Sequence, residues 1–347
     1  MTGPTVPARD RGVDTLRGLA IILMVAANAA PGTLIEPYPI WYKILSSLAA
    51  PLFVTISGLM VCFTAKTRGY PFSHYITRGA MVVLAAILVD LLVWLMVPLT
   101  SFDVLYLIGI SLPLAYLAAR AGGWVPWILA AVVFAATPFM QAWLGYCDYP
   151  VEIYFFEEST LADCIPCAVL THYLVDGWFP MFPWLGFAFV GAGLAGVRDG
   201  GLQKSWWFPV VGLVLLAGGT ALWISNPGPM MSRDGYAELF YPAPAGFMPA
   251  VTGFIFLAFW LVSVVKLPKL LDPVWALGEI SITIYVLHLA LIGYVVEKFF
   301  EPEGMCTLAT HYVWIMALML AVAYGLRAYR KKGGRPKNAF LRMFVGG

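Results

Sequence analysis

The chain has 347 residues, of which 61% are hydrophobic and 12% charged, with a mean hydropathy of +0.82 and a net charge of +2. That balance excludes an ordinary soluble domain and points to a polytopic membrane protein. The small positive charge gives no reason to expect a nucleic-acid partner.

Apolar runs of about 20 residues, the length that crosses a hydrocarbon core, recur along nearly the whole chain. They predict an all-α fold of ten transmembrane helices near 15–33, 41–65, 75–98, 103–119, 124–143, 178–197, 206–224, 247–265, 273–297 and 307–327. The expected organisation is a single transmembrane domain over 1–347, with outer loops at about 144–177 and 225–246 and a basic tail at 327–347. No small-residue cleavage site follows the first run, so it is expected to stay in the membrane. Orientation follows from lysine and arginine, which cytoplasmic loops retain. With both termini cytoplasmic, only Lys43, Arg233 and Lys298 of the 21 basic residues fall on the outer side. A missed or invented span would scramble that sorting. The expected location is the bacterial inner membrane, with the tail along anionic lipid headgroups.

The first span, RGVDTLRGLAIILMVAAN, carries Asp14, Arg17 and Asn28. Arg17 and Asn28 return to within about 20° of one helical face and lie about 16 Å apart along the axis. They form a polar line through the bilayer, where ionisable groups are costly and default to functional candidates. The plainer reading of Asp14 and Arg17 is an i,i+3 pair in the first turn. In the third span Asp90 has no evident local partner.

The loop 144–177 is acidic and aromatic and holds Cys147, Cys164 and Cys167. A disulfide from Cys147 to one of the other two is expected, and one C-x-x-C pair with a single nearby histidine is too little for a metal site. Cys62, in the second span, and Cys306, in the last outer loop, read as structural. At the end of the long loop His172 and Asp176 stand at i and i+4 before an aromatic belt. The Pro- and Gly-rich segment 225–246 is expected to shape a mouth. In the ninth span Ser281, Tyr285 and His288 share one face, and His288 is either a satisfied core group or a proton carrier. Glu279 is expected to meet headgroups. His311 is a weaker candidate, and His74 falls on the cytoplasmic side.

RDRGVDTLRGLA (9–20) running into IILMVAAN, PLFVTISG (51–58), VDGWFPMFPWLGFAFVGAGLAG (175–196) and LGEISITIYVLHL (277–289) together resemble the heparan-α-glucosaminide N-acetyltransferase catalytic-domain family and its bacterial relatives. The resemblance implies a multispan fold that takes acetyl-CoA from the cytoplasm and passes the acetyl group to an amino sugar, or another glycan or lipid-linked acceptor, on the far side. It implies that Arg17, with Asp14, binds the nucleotide phosphates and that Asn28 holds the reacting groups. Family members whose chemistry is understood carry a catalytic histidine in the first outer loop, and here that loop, APGTLIEPYPIWYK, has none. The base is then expected to be His172, oriented by Asp176, or His288. The missing histidine also motivates a second expectation, a non-catalytic membrane subunit packed in a larger assembly or a homo-oligomer.

Overall fold

The computed structural model describes residues 10–146, 153–155, 166–227 and 236–346, with the backbone alone at 166–168. In chain order the helices are α1 (Arg11–Ala29), α2 (Ile40–Ser46), α3 (Ala49–Arg68), α4 (Phe72–Val89), α5 (Val104–Ala121), α6 (Val125–Leu144), α7 (Pro166–Thr171), α8 (Met181–Asp199), α9 (Trp207–Ser225), α10 (Phe247–Val264), α11 (Asp272–Glu279), α12 (Ser281–Leu291), α13 (Glu297–Phe299), α14 (Met305–Lys331) and α15 (Ala339–Val345). One-turn π segments extend α4 through Trp94, join α7 to Gly177 and link α12 to α13. Among the described residues ten spans are long and apolar enough to cross a membrane, and the all-α expectation holds. The chain is an integral membrane protein.

Helix ends follow local chemistry. α1 begins four residues before its expected start because Asp10 caps it, its carboxylate accepting the Val13 N–H at 3.1 Å. The same carboxylate pairs with Arg198 at the end of α8. α3 stops at Gly69, whose φ of 63° suits a residue without a side chain.

α8 is the most enclosed span, whereas α6 and α9 present most of their surface outward. On α6, Phe139 and Trp143 are 75% and 78% exposed, which in a membrane means contact with lipid tails. No hydrophobic force drives helices together inside lipid, so close backbone approach does the work there. α3 and α8 show it. A Cβ on Gly58 would lie 2.0 Å from the Ala188 carbonyl oxygen, and one on Gly191 would lie 1.9 Å from that of Thr55.

The expected ninth span is broken. Ile280 (φ −128°, ψ 38°) separates α11 from α12. α11 lies against the start of α1, with Gly278 on the Asp14 carbonyl and Gly18 on that of Val274, while α12 runs on into the bundle. Glu279, expected among headgroups, is instead tied into the protein. It accepts from Arg327 at 2.8 Å and also from Arg330, and Arg327 reaches Asp272 at 2.8 Å. The C-terminal α15 closes over this junction, its Met343 buried and the Gly346 carbonyl accepting from Arg330. Asp10, Arg11, Glu279 and Gly346 thus place the first and last described residues at one end of the bundle, the termini end.

Two further expectations need correcting. Cys306 stands in the first turn of α14 rather than in the last outer loop, as an exposed free thiol, whereas Cys62 lies buried in the expected second span. The outer loop is helical from Pro166, so the sixth span starts at Met181 after Pro180. Cys147, Cys164 and the side chain of Cys167 lie outside the described residues, as does any disulfide among them.

Candidate functional site

At the bundle end away from the termini lies a cavity of about 260 Å³. The last turn of α1, the first turns of α3, the entrance to α5, the segment at Trp178, the turn at Glu238 and the α12–α13 stretch enclose it. The described part of the Pro- and Gly-rich segment contributes Tyr236, Glu238 and Tyr241 to the cavity wall.

Asn28 faces this cavity from α1, and its Nδ2 stands 3.1 Å from Nε2 of His288, which is wholly buried on α12. Two residues 260 positions apart meet here. The Nδ1 of His288 lies 2.9 Å from the Ile284 carbonyl. A carbonyl only accepts, so Nδ1 carries the proton and Nε2 presents its lone pair to the Asn28 amide. The ring is therefore held in the tautomer that takes a proton at Nε2; His288 itself does not line the cavity, and the cavity-lining Asn28 is its link to it. Tyr285, one turn earlier on α12, donates its hydroxyl to Asp103.

Asp103 also accepts the Val104 N–H at 2.5 Å and so caps α5. Its loop takes an unusual path, with Leu95, Leu99 and Phe102 at φ 55°, 73° and 46°. Left-handed backbone at non-glycine residues needs outside support, and Asp90 supplies it. The Asp90 carboxylate, fully buried, accepts from the Leu99 N–H at 3.2 Å, the Ser101 hydroxyl at 3.2 Å and the Tyr106 hydroxyl at 2.5 Å. Asp90 is thus partnered, by residues nine to sixteen positions ahead that belong to a loop and the next helix. Asp90→Ala leaves the Ser101 and Tyr106 hydroxyls without this acceptor, while the Leu99 N–H keeps the Tyr106 oxygen at 3.1 Å, and is expected to destabilise the protein by about 2 kcal/mol. Thermal unfolding in detergent measures this, and Asp90→Asn, which keeps one acceptor oxygen, should lose less.

Two cavity carboxyls outside the spans are shifted. Burial pushes Glu238 up to about 7, against the lowering effect of backbone N–H groups. Burial also pushes Asp103 up to about 7, although the Tyr285 hydroxyl pulls it down.

Of the expected site residues, the structure joins Asn28 and His288. His172 and Asp176 form their own pair, Nδ1 to Oδ1 at 2.6 Å, with Nε2 buried and without a partner among the described residues. Neither lines the cavity. Asp14 and Arg17 stand 3.5 Å apart at the termini end, beside Gly278. Ser281 does not line the cavity, and His311 accepts from Trp314 at 2.9 Å under the Phe300 ring. A second cavity, about 450 Å³, opens at the termini end between α3, α5, α6 and α8 and is bordered by Lys66 and Arg120. Among the described residues no cluster of three or more His, Cys, Asp or Glu could hold a metal.

Asp103, Glu238, Glu297 and Trp94 join the cavity without having been expected. Asp103 and Glu297 had a usable signal as carboxylates at the edges of apolar runs. Glu238 had none, lying in a segment with no periodicity.

No curated protein matches the chain. A model of the family described as heparan-alpha-glucosaminide N-acetyltransferase, catalytic, matches residues 9–224, which carries Asp14, Arg17, Asn28, Asp90 and Asp103 and ends before α10, so Tyr285 and His288 lie beyond it. The match spans well over half of the 347 residues and begins at the polar first helix whose far end opens on the cavity. The chain therefore belongs to the heparan-alpha-glucosaminide N-acetyltransferase catalytic family.

Proposed function

We propose that the protein is a membrane acyltransferase of a bacterial inner membrane. It moves an acetyl group from acetyl-CoA, supplied at the cytoplasmic termini end, to an amino sugar or related acceptor held in the cavity on the extracytoplasmic side. The observation that carries the reading is the Asn28–His288 pair, whose tautomer leaves Nε2 as a proton acceptor directly behind the cavity-lining Asn28. That pair offers a base where the first outer loop has no histidine.

In this reading the acceptor nitrogen attacks the thioester carbonyl carbon. The N–C bond forms, the C–S bond breaks, the amine's proton passes to Nε2 of His288, and the sulfur leaves as a thiolate that takes up that same proton, returning His288 to its neutral form. The acceptor displaces the Asn28 amide from Nε2. The freed Nδ2–H then meets the oxygen on which negative charge develops, the arrangement that stabilises acyl-transfer transition states. Arg17, partly exposed at the termini end, meets the donor's phosphates, with Asp14 holding its guanidinium.

Purified protein given labelled acetyl-CoA and amino-sugar acceptors is expected to release an acetylated sugar and to bind the donor saturably. Neither transfer nor saturable binding would overturn the reading. Together with constant co-purification of another membrane protein from native membranes, that outcome would favour a non-catalytic subunit.

A further inference from the structure

Positive charge gathers at the termini end around Tyr70, apart from the cavity that holds Asn28. Arg68, at the end of α3, donates to the Tyr70 hydroxyl at 3.3 Å, and His74 stacks on the Tyr70 ring with centroids 4.0 Å apart. Arg78 follows His74 by one turn of α4. Helical side chains lean toward the start of their helix, and the charge of Arg78 reaches Tyr70 there. Arg68 and Arg78 both act electrostatically on His74 and on each other. No carboxylate balances them. Among the described residues the acids of this end are Asp10, Asp14, Asp199, Asp272 and Glu279, and each already pairs with another cation, Arg198, Arg17, Lys66 or an arginine of α14. Arg78 has neither a hydrogen bond nor an ion pair among the described residues.

Basic residues that merely mark topology stand in loops. Arg78 instead lies six residues inside the span that starts at Phe72, about 9 Å along its axis. An arginine at that depth needs a partner. Phe72 and Ile76 on the same helix are exposed and so face lipid, which puts the cluster beside headgroups rather than deep in the protein. Tyr70 also lines the 450 Å³ cavity bordered by Lys66 and Arg120, so positive groups continue around its ring. We propose that Arg68 and Arg78, with His74, form a binding site for the phosphate of an anionic phospholipid in the leaflet at the termini end. The planar guanidinium fork matches phosphate oxygens two at a time. A zwitterionic headgroup would bring its own cation into a cluster that already lacks an anion, so a headgroup with net negative charge is preferred.

The lipid-depleted full chain in a nonionic detergent, titrated with mixed micelles of phosphatidylcholine and phosphatidylglycerol, tests this. Phosphatidylglycerol is expected to raise the melting temperature saturably by about 3 °C or more, and phosphatidylcholine alone to leave it unmoved. Arg78→Gln should need about tenfold more phosphatidylglycerol for half of that rise. Should the glutamine variant lack a thermal transition, Arg78→Lys, which keeps the charge without the fork, reads the same comparison with a smaller loss. Lys332→Gln, in the exposed basic tail, should match the parent within about twofold, since a fully solvated charge is screened. Equal responses to the two lipids, or an equal loss in Lys332→Gln, overturns the proposal. So does a rise with inorganic phosphate or coenzyme A that Arg78→Gln weakens as much as it weakens the lipid's, because the arginines then serve a soluble anion. The readout is binding, and it holds whether or not acetyl is transferred.

Discussion

His288→Ala is expected to lower kcat/KM for acetyl transfer by about 10²- to 10⁴-fold, the range associated with loss of a positioned general base. Alanine also strands the Asn28 amide, so a second variant separates chemistry from packing. His288→Gln offers Asn28 an oxygen acceptor but no basic nitrogen. If His288 takes the proton, the glutamine variant should keep its melting temperature near that of the parent and still lose the rate. Recovery of activity in His288→Gln would assign the histidine a purely positioning role. His172→Ala is the informative comparison, because His172 is tied to Asp176 at 2.6 Å whereas His288 meets the cavity-lining Asn28. Its loss of kcat/KM should stay within about tenfold, and a loss as large as that of His288→Ala would move the base to His172.

The largest expected effect on stability comes from the α3–α8 contact. In Gly58→Ala the new methyl would sit 2.0 Å from the Ala188 carbonyl oxygen, and in Gly191→Ala 1.9 Å from that of Thr55. Both obstacles are main chain, which no rotamer change removes. The helices must separate, and α8 is the most enclosed span. The double variant is expected to lose about 4 kcal/mol, two overpacking penalties on one interface. Thermal unfolding of the detergent-solubilised protein reads this directly. As a control, Gly218→Ala on α9, where a Cβ meets nothing within 4 Å, should leave the melting temperature within a degree or two or raise it.

The spans and their number were readable because lipid imposes a length and an apolar composition on any crossing helix, and both are local properties. The first helix was likewise readable as unusual, since Asp14, Arg17 and Asn28 interrupt it where polar groups are expensive. The broken ninth span was not readable. LGEISITIYVLHL looks like continuous helix, and its break at Ile280 accompanies the arginines of α14 holding Glu279 while Gly278 meets α1. Asp90 looked unpartnered for a similar reason, two of its donors lying in a loop whose path no periodicity announces and the third, Tyr106, on the next helix.

The sequence by itself determined the class of the protein, the number of its spans, its family and the short list of polar residues that a membrane would not tolerate idle. Only the tertiary structure decided which of those residues work together. Asn28 and His288 are separated by 260 positions and by most of the spans, so their meeting depends on how α12 docks on α1. His172 and Asp176, four residues apart, could be paired on paper, yet whether their helix turn faces the cavity is a matter of packing angle. Periodicity fixes a face relative to its own helix axis; the neighbour that face meets is set by close approach at glycines and by long-range ion pairs, which no local pattern encodes.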